Sequence, residues 1–152
     1  MKSCDNHNQC IKTALDEATR ICTQNNLRFT QLRQDVFLII LQSHQSCKAY
    51  DILNTLQKQD PSAKPATVYR SLDFLLEHGL IHKIHSLNSY VTCSHPLKHA
   101  RCSFLICHQC GQVEECCDEG VFEKIQKIGS KNNFTIQQTA VEIAGTCSSC
   151  NI

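Results

Sequence analysis

Apolar residues in the first half of the chain recur at helical spacing. Ile11, Leu15, Ala18 and Ile21 follow one another at intervals of three or four residues, which places them on one face of a helix. The same spacing returns in three later segments, near residues 32–41, 49–56 and 66–78. The pattern therefore predicts three or four helices within the first 80 residues.

The fourth predicted helix has clear start and stop signals. Pro65 suits the first helical turn, where its missing N–H costs nothing, and Gly79 suits the position just after the last turn. Beyond Gly79 the spacing changes to that of strands, in segments 80–85 and 89–93 around a turn at 86–88. Helices followed by a β-hairpin predict a winged helix-turn-helix domain.

The second half of the chain predicts a smaller mixed unit. Two strands are expected at 102–107 and 112–116, and a helix over 121–128. One or two further strands are expected at 134–136 and 141–144. A unit of about 55 residues buries little apolar surface, so it needs a metal, a partner chain or both for stability.

These segments predict an α+β fold class with two domains. The winged helix-turn-helix domain is expected over residues 1–93, followed by a linker over 94–99 that contains Pro96. The C-terminal α/β domain is expected over residues 100–152.

Composition narrows the class of protein. The 152 residues include 12 cysteines, and 15 Lys and Arg against 14 Asp and Glu give a net charge of +1. So small a charge excludes a strongly basic nucleic-acid coat but permits a local basic face. The chain has no apolar run typical of a secretory signal or a membrane span, and its longest run, 36–41, has six residues. We therefore expect a cytoplasmic protein with no membrane partner, in which reduced cysteines bind metal.

Two Cys-x-x-Cys pairs are the strongest candidate for a metal site. Cys107 and Cys110 form the first pair, and Cys147 and Cys150 form the second. Each pair can occupy one edge of a tetrahedron, so four thiolates would complete a structural zinc site. The alternative is a pair of redox motifs. It is the weaker interpretation, because neither pair opens a helix after a strand as in thioredoxin-like proteins.

A second group of candidate ligands falls where the two predicted domains meet. Each residue alone has an ordinary explanation, such as a strand histidine or a buried small thiol. Their shared location suggests a joint metal site that would fix the orientation of the domains. The candidates are His82, Cys93, His95, His99 and either Glu114 or Glu115.

Three stretches of the sequence resemble the ferric uptake regulator family. The segment 64–75, Lys-Pro-Ala-Thr-Val-Tyr-Arg-Ser-Leu-Asp-Phe-Leu, resembles the recognition helix of that family. The motif Cys-x-x-Cys-Gly-x-Val-x-Glu at 107–115 and the closing Cys-x-x-Cys at 147–150 resemble its metal-binding motifs. Segments such as 75–79 and 115–121 are most similar to the members of the family that respond to zinc.

The resemblance implies a homodimer with a C-terminal dimerisation domain and two Zn²⁺ ions per subunit. The structural zinc site implied by it consists of Cys107, Cys110, Cys147 and Cys150. The regulatory site implied by it consists of His82, Cys93, His99 and Glu115, with His95 as an alternative to His99. A soft thiolate in the regulatory set favours zinc over manganese and over an iron site of imidazoles and carboxylates.

The implied function is zinc-dependent repression of zinc uptake genes through double-stranded operator DNA. The fourth helix would enter the major groove, and the expected DNA-binding residues are Lys64, Thr67, Tyr69 and Arg70. No nucleophile with an adjacent base is evident, so we expect neither an enzyme nor a small-molecule substrate. Two alternatives stay open: an iron- or peroxide-responsive regulator of the same family, and a thiol-redox or zinc-buffering protein without a DNA role.

Overall fold

The computed structural model describes residues 7–43, 45–94 and 101–151. The chain divides between Thr92 and Cys93 into two compact units. The described residues form five helices and two separate sheets, which confirm the predicted α+β fold class. Within the described ranges, no helix has both the length and the apolar character that crossing a membrane requires.

The first unit contains four helices followed by a two-stranded antiparallel hairpin, which confirms the predicted winged helix-turn-helix outline. Its elements are α1 (His7–Gln24), α2 (Gln31–Gln42), α3 (Ala49–Gln57), α4 (Pro65–Glu77), β1 (Ile81–Ile84) and β2 (Ser89–Thr92).

One apolar core joins these helices to the hairpin. Ile40 of α2, Ile52 of α3, Leu72 of α4 and Ile81 of β1 are almost fully buried in the same cluster. Each occupies a core-facing position of its element, so the helical periodicity of the sequence corresponds directly to this packing. Burial of such side chains stabilises the unit by about 1.5–3 kcal/mol each.

The termini of α4 follow from its flanking residues. Pro65 begins the helix, and Lys64 precedes it in an extended conformation. At the other end Gly79 has a φ of 68°, and its N–H donates to Leu76 O at 3.1 Å. The N–H of Leu80 reaches back to Leu75 O at 2.9 Å, which completes a Schellman motif. The chain therefore turns sharply from α4 into β1.

The hairpin is extended by a third short segment. Cys47 and Tyr90 exchange two backbone hydrogen bonds, at 2.9 and 2.8 Å, on the side of β2 away from β1. Asn88 closes the turn between the strands with a φ of 45°. The segment before α3 is thereby attached to the β1–β2 hairpin, which is the wing of this domain.

The second unit contains a three-stranded sheet and one helix. Its elements are β3 (Ser103–Cys107), β4 (Val113–Cys116), α5 (Glu119–Lys131) and β5 (Val141–Gly145). The strand order is β4-β3-β5, with β4 antiparallel and β5 parallel to the central β3.

The prediction of a strand at 134–136 is wrong, because these residues form no strand. In the structure the N–H of Phe134 donates to Gly129 O at 2.9 Å, and Ile136 lies against Gly129 in the last part of α5. A side chain at position 129 would approach Ile136 and the Phe134 carbonyl to 2.9 Å. The segment therefore packs back on the helix end instead of joining the sheet.

Candidate metal centres

Parallel pairing of β3 and β5 brings the two Cys-x-x-Cys pairs to one edge of the sheet. The register places Cys107, the last residue of β3, opposite Gly145, the last residue of β5. Because parallel strands end at the same edge, the turns that follow them are neighbours. The His108 N–H donates to Gly145 O at 3.0 Å and continues the pairing into the first turn.

Backbone hydrogen bonds shape each cysteine pair into a tight turn. The N–H of Gly111 donates to Cys107 O at 2.8 Å, and Gly111 has a φ of 71°, a conformation that glycine adopts without strain. In the second turn the Asn151 N–H donates to Cys147 O at 2.9 Å. Both turns aim the two sulfurs of their pair to the same side.

The four sulfur atoms of these turns form a compact group. All four lie within 4.8 Å of one another, and those of Cys110 and Cys147 are 3.8 Å apart. In a tetrahedral zinc site with Zn–S distances of about 2.3 Å, neighbouring sulfurs lie about 3.8 Å apart. The donor set Cys107, Cys110, Cys147 and Cys150 therefore fits a zinc ion in both chemistry and spacing.

The electrostatics of the group favour a bound cation. The N–H of Cys147 donates to Cys107 Sγ at 3.4 Å and, with the N–H of Cys110, lowers the pKa of Cys107 to about 6. The sulfur of Cys147, and to a smaller extent that of Cys110, raises the pKa of Cys150 to about 12. The pKa of Cys107 is lowered and that of Cys150 is raised, so a divalent cation bound between the sulfurs would stabilise the thiolate form that the neighbouring sulfurs oppose at Cys150.

A second group of candidate ligands begins at the start of the second unit. The Sγ of Cys93 lies 3.6 Å from Oε1 of Glu115, and the N–H of Ser94 donates to Oε2 of the same carboxylate at 2.6 Å. Glu115 is half-buried on β4, whereas Glu114 points outward and is exposed. The structure thus brings together Cys93 and Glu115, and leaves Glu114 outside the group.

The remaining predicted ligands occupy other parts of the chain. His82 lies on β1 of the first unit, is buried, and pairs with Val91 of β2. His95 and His99 lie outside the described residues.

A cysteine pair at the start of β3 was not expected from the sequence. Cys102 and Cys117 are joined by a disulfide, and their sulfurs lie within 4.8 Å of a carboxylate oxygen of Glu115. The only signal in the sequence was the spacing of two adjoining strands. Extending the β3–β4 register by one residue beyond Ser103 and Cys116 makes Cys102 and Cys117 partners.

The residues expected to contact DNA lie at the surface of α4. Lys64 is the exposed residue that precedes the helix, and Tyr69 and Arg70 are exposed in its middle. Thr67 is half-buried, and its carbonyl accepts a hydrogen bond from the Ser71 hydroxyl at 3.1 Å. A cationic, aromatic and hydroxyl-bearing helix face suits contact with phosphates and base edges.

Comparison with known proteins decides the family. Residues 24–144 match the model of the Ferric uptake regulator family. The chain belongs to this family. It is 41% identical to the Zinc uptake regulation protein of Escherichia coli strain K12 over 139 residues, which are 90% of this chain and 80% of that protein.

Solved structures of family members agree with this assignment. A zinc uptake regulator complexed with zinc and DNA has a TM-score of 0.89 and 38% identity, over 92% of this chain and 94% of that one. Holo XcZur has a TM-score of 0.85 and 32% identity, over 91% and 96% of the two chains.

Replacing one ligand of the four-cysteine group tests its role. We expect Cys110→Ser to lose about one zinc ion per chain and to unfold at a lower denaturant concentration, because structural zinc contributes directly to folding. Metal analysis after dialysis and urea unfolding would measure both effects. Cys116→Ser is the matched control, since Cys116 is exposed and lies outside the group. Equal zinc content in the two variants would exclude the proposed ligand set.

Proposed function

We propose that the protein is a homodimeric, zinc-dependent repressor that binds double-stranded operator DNA of zinc uptake genes. The observation that carries this proposal is the Cys93 thiol placed against the Glu115 carboxylate, in a chain 41% identical to a zinc uptake regulation protein. A thiol in this group supports a response to zinc, because thiolate ligands suit zinc far better than manganese.

Each subunit binds two zinc ions in this proposal. The first has a structural role and is held by the four thiolates Cys107, Cys110, Cys147 and Cys150. The second has a regulatory role, and its ligands are His82, Cys93, His99 and Glu115, with His95 as the alternative to His99. Both sets give four ligands, as tetrahedral zinc sites require, and neither leaves a position for a reacting water.

Regulation follows from the distribution of the second set along the chain. His82 is carried by β1, directly after α4, whereas Glu115 is carried by the central sheet of the second unit. When bound, zinc supplies a link between side chains of both units. The ligands then restrict the orientation of α4 relative to the dimerisation domain, so zinc binding favours the state that binds DNA. By linkage, operator DNA raises the affinity for zinc by the same factor.

DNA recognition in this proposal depends on the positions of a few basic side chains and not on a large positive net charge. Residues 1–78, which include all four helices of this unit, contain nine Lys or Arg and eight Asp or Glu, so the helical part of the DNA-binding unit is nearly neutral. Arg70 is exposed on α4, and an arginine can read a guanine with two hydrogen bonds. Lys64 is exposed at the helix start, where it would meet a phosphate of the bound DNA. Dimerisation doubles these contacts.

The alternative functions explain fewer observations. An iron- or peroxide-responsive regulator does not explain why a thiol, Cys93, faces Glu115. A zinc-buffering or thiol-redox protein does not explain the exposed basic and aromatic side chains of α4. The proposal assigns the protein no catalytic residue, no small-molecule substrate and no membrane partner. A repressor acts at the chromosome, so we place it in the cytoplasm.

Operator binding measured against free metal concentration tests the function. The DNA would be selected from random sequences by the zinc-loaded protein, and binding would be followed by fluorescence anisotropy in buffered Zn²⁺, Fe²⁺ or Mn²⁺. We expect tight binding at very low free zinc and none at equal free iron or manganese. Arg70→Ala is the control that retains zinc but loses DNA affinity by about tenfold or more. DNA binding that ignores all three metals would refute the proposal.

Removing the regulatory thiol tests the site itself. We expect Cys93→Ser to shift half-maximal DNA binding to at least about tenfold higher free zinc, because a neutral hydroxyl replaces a thiolate ligand. The structural zinc should stay bound, since the four-cysteine group is unchanged. Cys10→Ser, in an exposed position on α1, is the matched control. An unchanged zinc dependence in the Cys93 variant would show that the site is wrongly assigned.

A further inference from the structure

Cys102 and Cys117 face each other at the open end of the β3–β4 ladder. The last pair of that ladder is Ser103 with Cys116, and one further step on each strand brings Cys102 opposite Cys117. Their Cα atoms are 4.1 Å apart and the two residues are joined by a disulfide. Strand register therefore holds the two sulfurs together, independently of any metal.

This pair lies beside the carboxylate of the proposed regulatory site. The Sγ of Cys117 is 3.7 Å from Oε1 of Glu115, and the Sγ of Cys93 is 3.6 Å from the same oxygen. One carboxylate oxygen thus faces two cysteines, one of which belongs to the disulfide. The chemical state of Cys117 therefore changes the surroundings of Glu115 directly.

We propose that Cys102 and Cys117 are a reversible disulfide site whose oxidation weakens zinc binding at Cys93 and Glu115. The existence of the disulfide site stands on strand register alone, whereas its effect on zinc rests on the proposed function. The oxidant is a low-molecular-weight disulfide such as oxidised glutathione.

The exchange takes place in two balanced steps. Cys117 is half-buried and its sulfur attacks the small disulfide, forming a mixed disulfide and releasing one small thiol that takes the proton. Cys102 is only 5% exposed, and its sulfur then attacks Cys117 Sγ and releases the second small thiol. Two protein thiols have lost two electrons and two protons, and one small disulfide has become two thiols. An excess of the reduced thiol reverses both steps.

Oxidation removes a hydrogen-bond donor from Glu115. The Cys117 Sγ lies 3.7 Å from Oε1 in the disulfide form, and at that separation a reduced Cys117 would carry an S–H that donates to Oε1 and orients the carboxylate toward a metal held with Cys93. A disulfide sulfur carries no proton, so this support is lost. Outer-shell partners of metal ligands typically change metal affinity by about 10–100-fold, and a weak S–H donor belongs at the lower end.

The test uses the full-length protein loaded with one zinc per chain, which protects the four-cysteine group. After equilibration in mixtures of reduced and oxidised glutathione, differential alkylation and peptide mass spectrometry should find Cys102 linked to Cys117. Competition with a chromophoric chelator should then show about tenfold weaker binding of the second zinc in the oxidised protein. A pair that stays reduced throughout, or equal zinc affinities in both states, would overturn the inference.

Single substitutions identify the residues responsible. Cys102→Ser and Cys117→Ser should each abolish the dependence of zinc affinity on glutathione, and Cys116→Ser should retain it. If the buried Cys102 variant does not fold, the half-buried Cys117 variant carries the test. Zinc-dependent DNA binding without any Cys102–Cys117 link would sink this inference and leave the proposed function standing. A redox-sensitive zinc affinity without zinc-dependent DNA binding would refute the proposed function and leave this inference standing.

Discussion

The second unit depends on the parallel pairing of β3 with β5. Strands that run the same way end at the same edge, and here each continues directly into a Cys-x-x-Cys turn. Among the described residues of this unit, Phe104, Ile106 and Phe122 are the large apolar side chains that are buried. So small a core stabilises a unit of this size only weakly. In the proposed structural site, four thiolates on one zinc ion would therefore supply the cross-link between two strands distant in sequence.

The same sheet connects the two proposed zinc sites. Glu115 of β4 pairs with Phe104 of β3, three residues before Cys107. A metal that fixes the end of β3 would also restrict β4, which carries Glu115, the residue that faces Cys93. In the proposed two-site arrangement, a zinc ion at the four cysteines would stabilise the strands that present Glu115. The Cys102–Cys117 disulfide lies at the opposite end of the β3–β4 ladder.

Sequence alone predicted what depends on local chemistry. Helical periodicity, Pro65 and Gly79 gave α4 and its turn into the hairpin, and the Cys-x-x-Cys spacing gave the four-cysteine group. It missed what depends on neighbours distant in sequence. Predicting the pairing of Cys102 with Cys117 requires the strand register. Predicting that 134–136 is not a strand requires knowledge of its backbone contact with Gly129. One or two strands were expected over 134–136 and 141–144, because short apolar runs carry no information about what they pack against, and one strand, β5, forms.

X-ray absorption at the zinc edge, measured at one and then two zinc ions per chain, tests the two-site account most directly. The account predicts four sulfur neighbours at about 2.3 Å for the first ion. With the second ion the average should fall to about 2.5 sulfurs per zinc, as nitrogen and oxygen neighbours appear at about 2.0–2.2 Å. Four sulfurs per zinc at both loadings, or mixed ligands from the first ion onward, would contradict the assignment of the two sites.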